Sequence, residues 1–95
     1  MMHAPWKMTG QLDETVKRMK LMIASTTDLF QTKEPTGDDR KDLSALAEQS
    51  EVYAKGLLSE LAVAAKTDMR KYRTIKQAIQ VQAKYRETLL KILAR

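Results

Sequence analysis

The distribution of proline limits what this chain can fold into more than any other feature, because no proline occurs after Pro35. Proline interrupts helices by removing a backbone donor and clashing with the preceding turn, so its absence lets helix run from about residue 39 to residue 93. The chain also has only three glycines, and its residues are 43% hydrophobic and 31% charged. That composition is too apolar for a disordered chain and too poor in turn residues for a β-sandwich or barrel. The sequence therefore predicts an all-α fold.

The segment before Pro35 predicts one amphipathic helix over about residues 10–31. Its apolar residues recur at steps of four, three, four and seven, which is the spacing of a heptad seam. The seam consists of Leu12, Val16, Met19, Ile23 and Phe30. We expect residues 1–9 to form a flexible arm in front of this helix. In that arm the only tryptophan, Trp6, is expected to pack over the helix start, with anchoring of a partner as the alternative.

A turn is predicted over residues 32–39, where Pro35, Gly37 and polar residues are concentrated. We expect Asp38 or Asp39 to cap the following helix by accepting hydrogen bonds from its first backbone N–H groups. The acidic residues here lack the alternating oxygen ligands and the terminal Glu of a calcium loop, so we expect no calcium site.

The rest of the chain allows two architectures, which the sequence alone leaves open. Its apolar stripe loses phase between Ala64 and Met69, where Thr67 or Asp68 can cap a new helix. Helices over about residues 39–66 and 68–94 would then complete a three-helix bundle. An uninterrupted helix would instead give a long antiparallel hairpin in a single domain spanning residues 10–95.

The hairpin alternative requires a partner, because its outer half has too little of its own chain to pack against. A partner subunit would then cover the apolar residues of the C-terminal helix, since exposing such a stripe favours association. These residues are Ile75, Ile79, Leu89 and Leu93, and Ile92 adds to the same surface. We therefore expect self-association or a helical partner protein.

The last thirty residues form a basic segment with nine Lys or Arg and two acidic residues, whereas the first sixty-five carry a net charge of −2. On one continuous helix, six of the cations lie within roughly 40° of one line, opposite the apolar face. They are Lys66, Arg70, Arg73, Lys84, Lys91 and Arg95. This stripe indicates an anion or nucleic-acid contact, a contact with an anionic membrane surface, or a solvated face without a ligand.

Catalysis is not expected from this composition. There is no cysteine, and the only histidine, His3, lies in the predicted arm, where a general base would lack a rigid frame. The carboxylates of Glu48, Glu51 and Glu60 are best interpreted as a solvated helix face. We predict no catalytic residue, metal or cofactor. The chain has neither a secretory signal nor a membrane span, so we expect a cytoplasmic location unless it is exported by a non-classical route.

Several short motifs resemble those of small flagellar rod-adaptor proteins and, more distantly, of type III secretion inner-rod subunits. The motifs are Gly10-Gln11-Leu12, Phe30 followed by Glu34-Pro35, Thr67-Asp68-Met69 with Lys71, and Ile79-Gln80-Val81 with Lys84. The resemblance requires an insertion after Pro35, and Gln82 stands where that family has an arginine.

The resemblance implies a helical hairpin that polymerises with other rod subunits through its C-terminal helix. The contacts it implies are Ile75, Ile79, Tyr85, Leu89 and Ile92. Taken with the residue patterns, it favours a non-enzymatic structural or adaptor protein that acts by helix packing in an oligomer or larger complex. The alternative is a nucleic-acid-binding protein that uses the basic face of its C-terminal helix.

Overall fold

A computed structural model describes residues 11–95 and contains three α-helices in that range. They are α1 (Leu12–Thr32), α2 (Gly37–Thr67) and α3 (Met69–Leu93). The described residues contain no β-strand, and the predicted all-α class is confirmed. The predicted arm, with His3 and Trp6, lies outside the described residues.

The turn between α1 and α2 is closed by a reciprocal cap. The Thr36 hydroxyl accepts a hydrogen bond from the Asp39 N–H at 3.1 Å, and the Asp39 carboxylate accepts one from the Thr36 N–H at 2.9 Å. This second hydrogen bond, with support from nearby Lys33, holds the pKa of Asp39 below its usual value. The N-cap is therefore Thr36 rather than the predicted Asp38 or Asp39, and α2 begins earlier than predicted, at Gly37.

The second corner consists of Asp68 alone, which separates α2 from α3. Its extended backbone interrupts the helix, and its carboxylate accepts hydrogen bonds from the N–H groups of Arg70 and Lys71, both at 3.1 Å. Its own N–H still donates to the Ala64 carbonyl at 2.8 Å and so closes the last turn of α2. Of the two architectures that the sequence allowed, the described residues adopt the three-helix bundle.

Helix α3 is the central element of the bundle, because it lies close to both α1 and α2 while those two approach each other less. Two apolar clusters fill the interior. The cluster near the end of α3 contains Phe30, Leu43, Leu46, Ala47, Tyr85, Leu89 and Ile92. The cluster near its start contains Val16, Met19, Leu57, Ala64, Ile75 and Ala78. The bundle measures 46 × 19 × 19 Å, and its long axis matches the length of α2.

Candidate interaction surfaces

The apolar residues predicted to meet a partner line the interior of this bundle. Ile75, Tyr85 and Leu89 are fully buried, and Ile92 is 4% exposed. Ile79 and Leu93 are half-buried and pack against the two clusters. Because the chain folds back at Asp68, α1 and α2 supply the cover that an unbroken helix would have needed from another subunit.

Tyr85 belongs to this interior in both position and chemistry. Its side chain is fully buried, and burial raises its pKa to about 12, because a phenolate would lose its hydration there. The hydroxyl therefore stays neutral at physiological pH. In this fold Tyr85 contributes to the stability of the core, and a partner cannot reach it without opening the bundle.

The six cations of the predicted basic stripe do not lie on one helix face. Arg70, Arg73, Lys84 and Lys91 are exposed on the outer side of α3. Lys66 is in the last turn of α2, so the break at residue 68 removes it from the common line. The prediction that all six cations share one line assumed one continuous helix over residues 66–95. The structure instead has two helices there, separated by Asp68.

Arg95 lies beyond the end of α3 and joins the three helices at that end of the bundle. Its guanidinium donates to the Phe30 carbonyl in the last turn of α1. In the opposite direction, the Arg40 guanidinium of α2 donates to the carbonyls of Leu93 at 3.1 Å and Arg95 at 3.2 Å. Arg95 is therefore occupied by contacts within the chain. Helical spacing could not reveal these contacts, because they join residues more than fifty positions apart.

A surface that the sequence analysis overlooked runs along the outer side of α2. Six uncharged residues recur there at alternating steps of four and three, which places them on one line of the helix. They are Ala45, Gln49, Val52, Gly56, Ser59 and Val63, and we call them the α2 outer seam. Val52 is 69% exposed and Val63 is 64% exposed. The sequence contains this spacing, but Gly, Ser and Gln are too weakly hydrophobic to mark these positions as a helix-packing face.

Two recesses adjoin the C-terminal half of this seam. One has a volume of about 460 Å³ and lies between the start of α1, the middle of α2 and the start of α3. The other, of about 280 Å³, lies between the last turns of α2 and the first turn of α3. Among the described residues, α2 extends past the start of α1 at this end of the bundle. Gly56 lines the first recess, and Val63 lines the second.

Charged and polar groups surround these recesses. Glu60 and Lys71 line both of them, and neither makes an ion pair within 4 Å with a described residue. Tyr53 lines the larger recess, and its pKa is raised mainly by burial and further by the nearby Glu60 carboxylate. The phenol therefore stays neutral, and its ring adds an apolar surface to the wall of this recess.

The described residues offer no group of three His, Cys, Asp or Glu side chains that could hold a metal ion. Within the same part of the chain, no helix is long and apolar enough to cross a membrane. The described residues present two extended surfaces: the α2 outer seam with its recesses, and the basic outer face of α3.

Comparison of the chain with protein-family models, with curated proteins and with solved structures gives no match.

Proposed function

We propose that this protein is a non-enzymatic assembly module in which the α2 outer seam packs against the same seam of a second copy. The observation that carries the proposal is an uncharged line of six positions on the exposed side of α2, whose neighbouring charged residues lie on either side of that line. These neighbours are Glu48, Glu51, Lys55 and Glu60. Solvated helix faces normally carry charges, whereas helix-packing faces exclude them.

The seam is complementary to itself in an antiparallel arrangement centred on residue 54. In this register every layer pairs a larger side chain with a smaller one: Val63 with Ala45, Gln49 with Ser59, and Val52 with Gly56. Alternation of large and small residues lets two helices interdigitate closely. Each contact also occurs twice, as the two-fold symmetry of a homodimer requires.

The monomer leaves room for this contact. A Cβ atom added at Gly56 would have no neighbour within 4 Å, so the helix surface there is open. The Gln49 side-chain oxygen has no hydrogen-bond partner among the described residues. When the Gln49 side chain turns outward, its oxygen can accept a hydrogen bond from the partner's Ser59 hydroxyl. This hydrogen bond would remove the free-energy penalty of a buried, unpaired side-chain carbonyl.

The seam is about 27 Å long, since its first and last residues are eighteen positions apart and each step adds about 1.5 Å. A helix pair of that length buries on the order of 1,000 Å², near the lower limit of specific interfaces. We therefore expect reversible association with a dissociation constant in the micromolar range rather than an obligate dimer.

The resemblance to flagellar rod-adaptor proteins stays a prediction. It agrees with a role in assembly, but it implies contacts through the C-terminal helix, including Tyr85 and Leu89. Those contacts would require α3 to leave the bundle and expose both clusters. Docking through the α2 outer seam leaves the bundle closed, and we favour it for that reason.

The proposal is tested by light scattering at about 10 and about 100 µM, where a weak dimer changes its mean mass with concentration. Gly56→Gln should abolish that change, because a long side chain prevents the close approach of the helices while favouring helix in α2. Ser44→Gln is the matched control, since Ser44 is exposed on α2 away from the seam.

A wild-type protein that stays monomeric at both concentrations would contradict the proposal. So would an equal loss of association in the Gly56→Gln and Ser44→Gln variants. If the wild type associates and both variants keep that association, another surface of the molecule is responsible.

A further inference from the structure

The outer face of α3 carries a second line of residues, which the proposed dimer leaves free. Starting from Arg70, seven long polar side chains recur at alternating steps of three and four. They are Arg70, Arg73, Gln77, Gln80, Lys84, Glu87 and Lys91, and we call them the α3 ridge. All seven are exposed. The ridge is about 32 Å long, because its first and last residues are twenty-one positions apart, and it drifts around the helix by about 20° per heptad.

The charge of the α3 ridge is strongly positive and largely uncompensated. Its only carboxylate, Glu87, is bound by Lys91 at 2.9 Å, and that contact lowers the Glu87 pKa. Arg70, Arg73 and Lys84 make no ion pair within 4 Å with any described residue. A helix face with these charges attracts anions.

The order of residues along the ridge points to the kind of anion. Two amides, Gln77 and Gln80, occupy the centre, and a pair of cations lies toward each end. The inner cations, Arg73 and Lys84, are eleven residues apart, which is about 16 Å along the helix. Cations at the ends can meet phosphates on both sides of a groove, while glutamine can form two hydrogen bonds with the edge of an adenine.

We propose that the α3 ridge binds double-stranded DNA, with α3 lying in the major groove. That groove is about 12 Å wide and admits an α-helix, whereas the major groove of duplex RNA is too narrow and deep for side chains to read. The site consists of Arg70, Arg73, Gln77, Gln80, Lys84 and Lys91. It excludes Lys66 and Arg95, which the basic stripe of the sequence had included.

Two features of the ridge disfavour other acidic partners. Single strands bind by stacking bases on aromatic rings, but Tyr85 is buried and Tyr72 lies half-buried on the inner side of α3. Acidic protein helices dock through apolar anchors, and the ridge contains no apolar residue. A DNA duplex can be bound without aromatic or apolar anchors, because cations contact its phosphates and amide groups contact the edges of its bases.

The test measures binding of a labelled 20-base-pair DNA duplex by fluorescence anisotropy over a series of salt concentrations. Each phosphate contact contributes about 0.9 to the slope of log affinity against log salt. Changing Arg70, Arg73, Lys84 and Lys91 together to Gln should flatten the slope by about 3.6, with helix content retained.

The matched control changes the same number of cations on the other two helices, namely Lys17, Lys20, Lys41 and Lys55, all exposed. It alters net charge equally but leaves the ridge intact, so its slope should stay close to that of the wild type. A double Gln77→Ala and Gln80→Ala variant should keep the slope while losing preference among duplex sequences.

Equal flattening in the ridge variant and the control variant would overturn the proposal, because the binding would then follow net charge alone. Tighter binding to single-stranded DNA or to polyglutamate than to the duplex would overturn it as well. The ridge variant and the double glutamine variant leave the α2 outer seam and its neighbours unchanged, so the mass measurement remains an independent test of the proposed dimer.

Discussion

At the scale of single residues, one buried amide joins the two apolar clusters of the bundle. The Gln82 side chain is 5% exposed and donates to the Ser50 carbonyl at 2.9 Å. The fully buried Ser50 hydroxyl in turn donates to the Ala47 carbonyl at 2.8 Å. A buried polar contact of this kind fixes how far α3 can slide along α2, because other registers would leave the amide unpaired.

We predict that Gln82→Glu destabilises the protein at neutral pH and not at acid pH. A carboxylate has nearly the shape of the amide but would meet the Ser50 carbonyl with negative charge in a buried site, so folding should raise its pKa. The free energy of unfolding should fall by about 2 kcal/mol or more at pH 7. Near pH 4 the acid is neutral in the folded state, where its pKa is raised, and mostly neutral in the unfolded state, so it can donate to the carbonyl and most of the loss should disappear.

Urea unfolding of the wild type and the Gln82→Glu variant at pH 7 and pH 4 measures this difference. The comparison at each pH cancels the titration of the other carboxyl groups. A variant that loses the same stability at both pH values would show that shape, not charge, limits this position.

Gly56→Ala should stabilise the monomer. Glycine in the middle of a helix costs about 0.5 to 1 kcal/mol relative to alanine, and a Cβ atom at this position has no neighbour within 4 Å. Urea unfolding at low protein concentration should show the increase. A decrease would mean that the surface around Gly56 is covered in solution.

At the scale of the helices, the sequence reveals the elements better than their partners. The periodicity of apolar residues predicts α1. The capping ability of Thr67 or Asp68 offers an end for α2, but the sequence leaves an uninterrupted helix as the alternative. The same periodicity cannot distinguish a helix that packs within its own chain from one that packs on another subunit. For that reason Leu89 and Ile92 were predicted at an interface and are found in the core. The long-range bonds of Arg95 have no signal in local spacing.

Leu89→Asp should therefore prevent folding as well as any association. The side chain is fully buried, and its replacement by a carboxylate combines a lost apolar contact with a buried charge, at a cost above about 3 kcal/mol. Leu90→Asp is the control, because Leu90 is 40% exposed on the same helix. Circular dichroism with thermal unfolding separates the two. A folded, monomeric Leu89→Asp variant would contradict the core position of Leu89 and support the prediction that Leu89 contacts a partner subunit.

Asp68→Ala should destabilise the bundle by about 1 kcal/mol, the usual cost of losing an N-cap. The variant loses the acceptor for two N–H groups at the start of α3. Asp13→Ala, in the first turn of α1, is the control, because α1 has no side-chain cap. Thermal unfolding compares the two variants, and equal losses would argue against a specific role of the Asp68 cap.

At the scale of the whole molecule, the α2 outer seam and the α3 ridge lie on different helices of the bundle. The seam is an uncharged line on the exposed side of α2, and its C-terminal residues adjoin recesses shared with α3. The ridge is exposed on the outer side of α3. A dimer formed through the seam would therefore carry two free ridges. Two ridges on one particle would raise the apparent affinity for a long polyanion above that of a single ridge, provided that both can engage it together.

The antiparallel pairing of two α2 helices is tested most directly by distances between spin labels. The chain has no cysteine, so Lys55→Cys and Lys66→Cys each provide one labelling site per copy. Both lysines are exposed and lie beside the seam. In the proposed register Lys55 lies next to its own counterpart, whereas the two copies of Lys66 are about 36 Å apart along the helix axis. We expect a short distance for the Lys55 pair and a long one for the Lys66 pair. Short distances at both positions would show a parallel pair, and no defined distance at either would contradict the dimer.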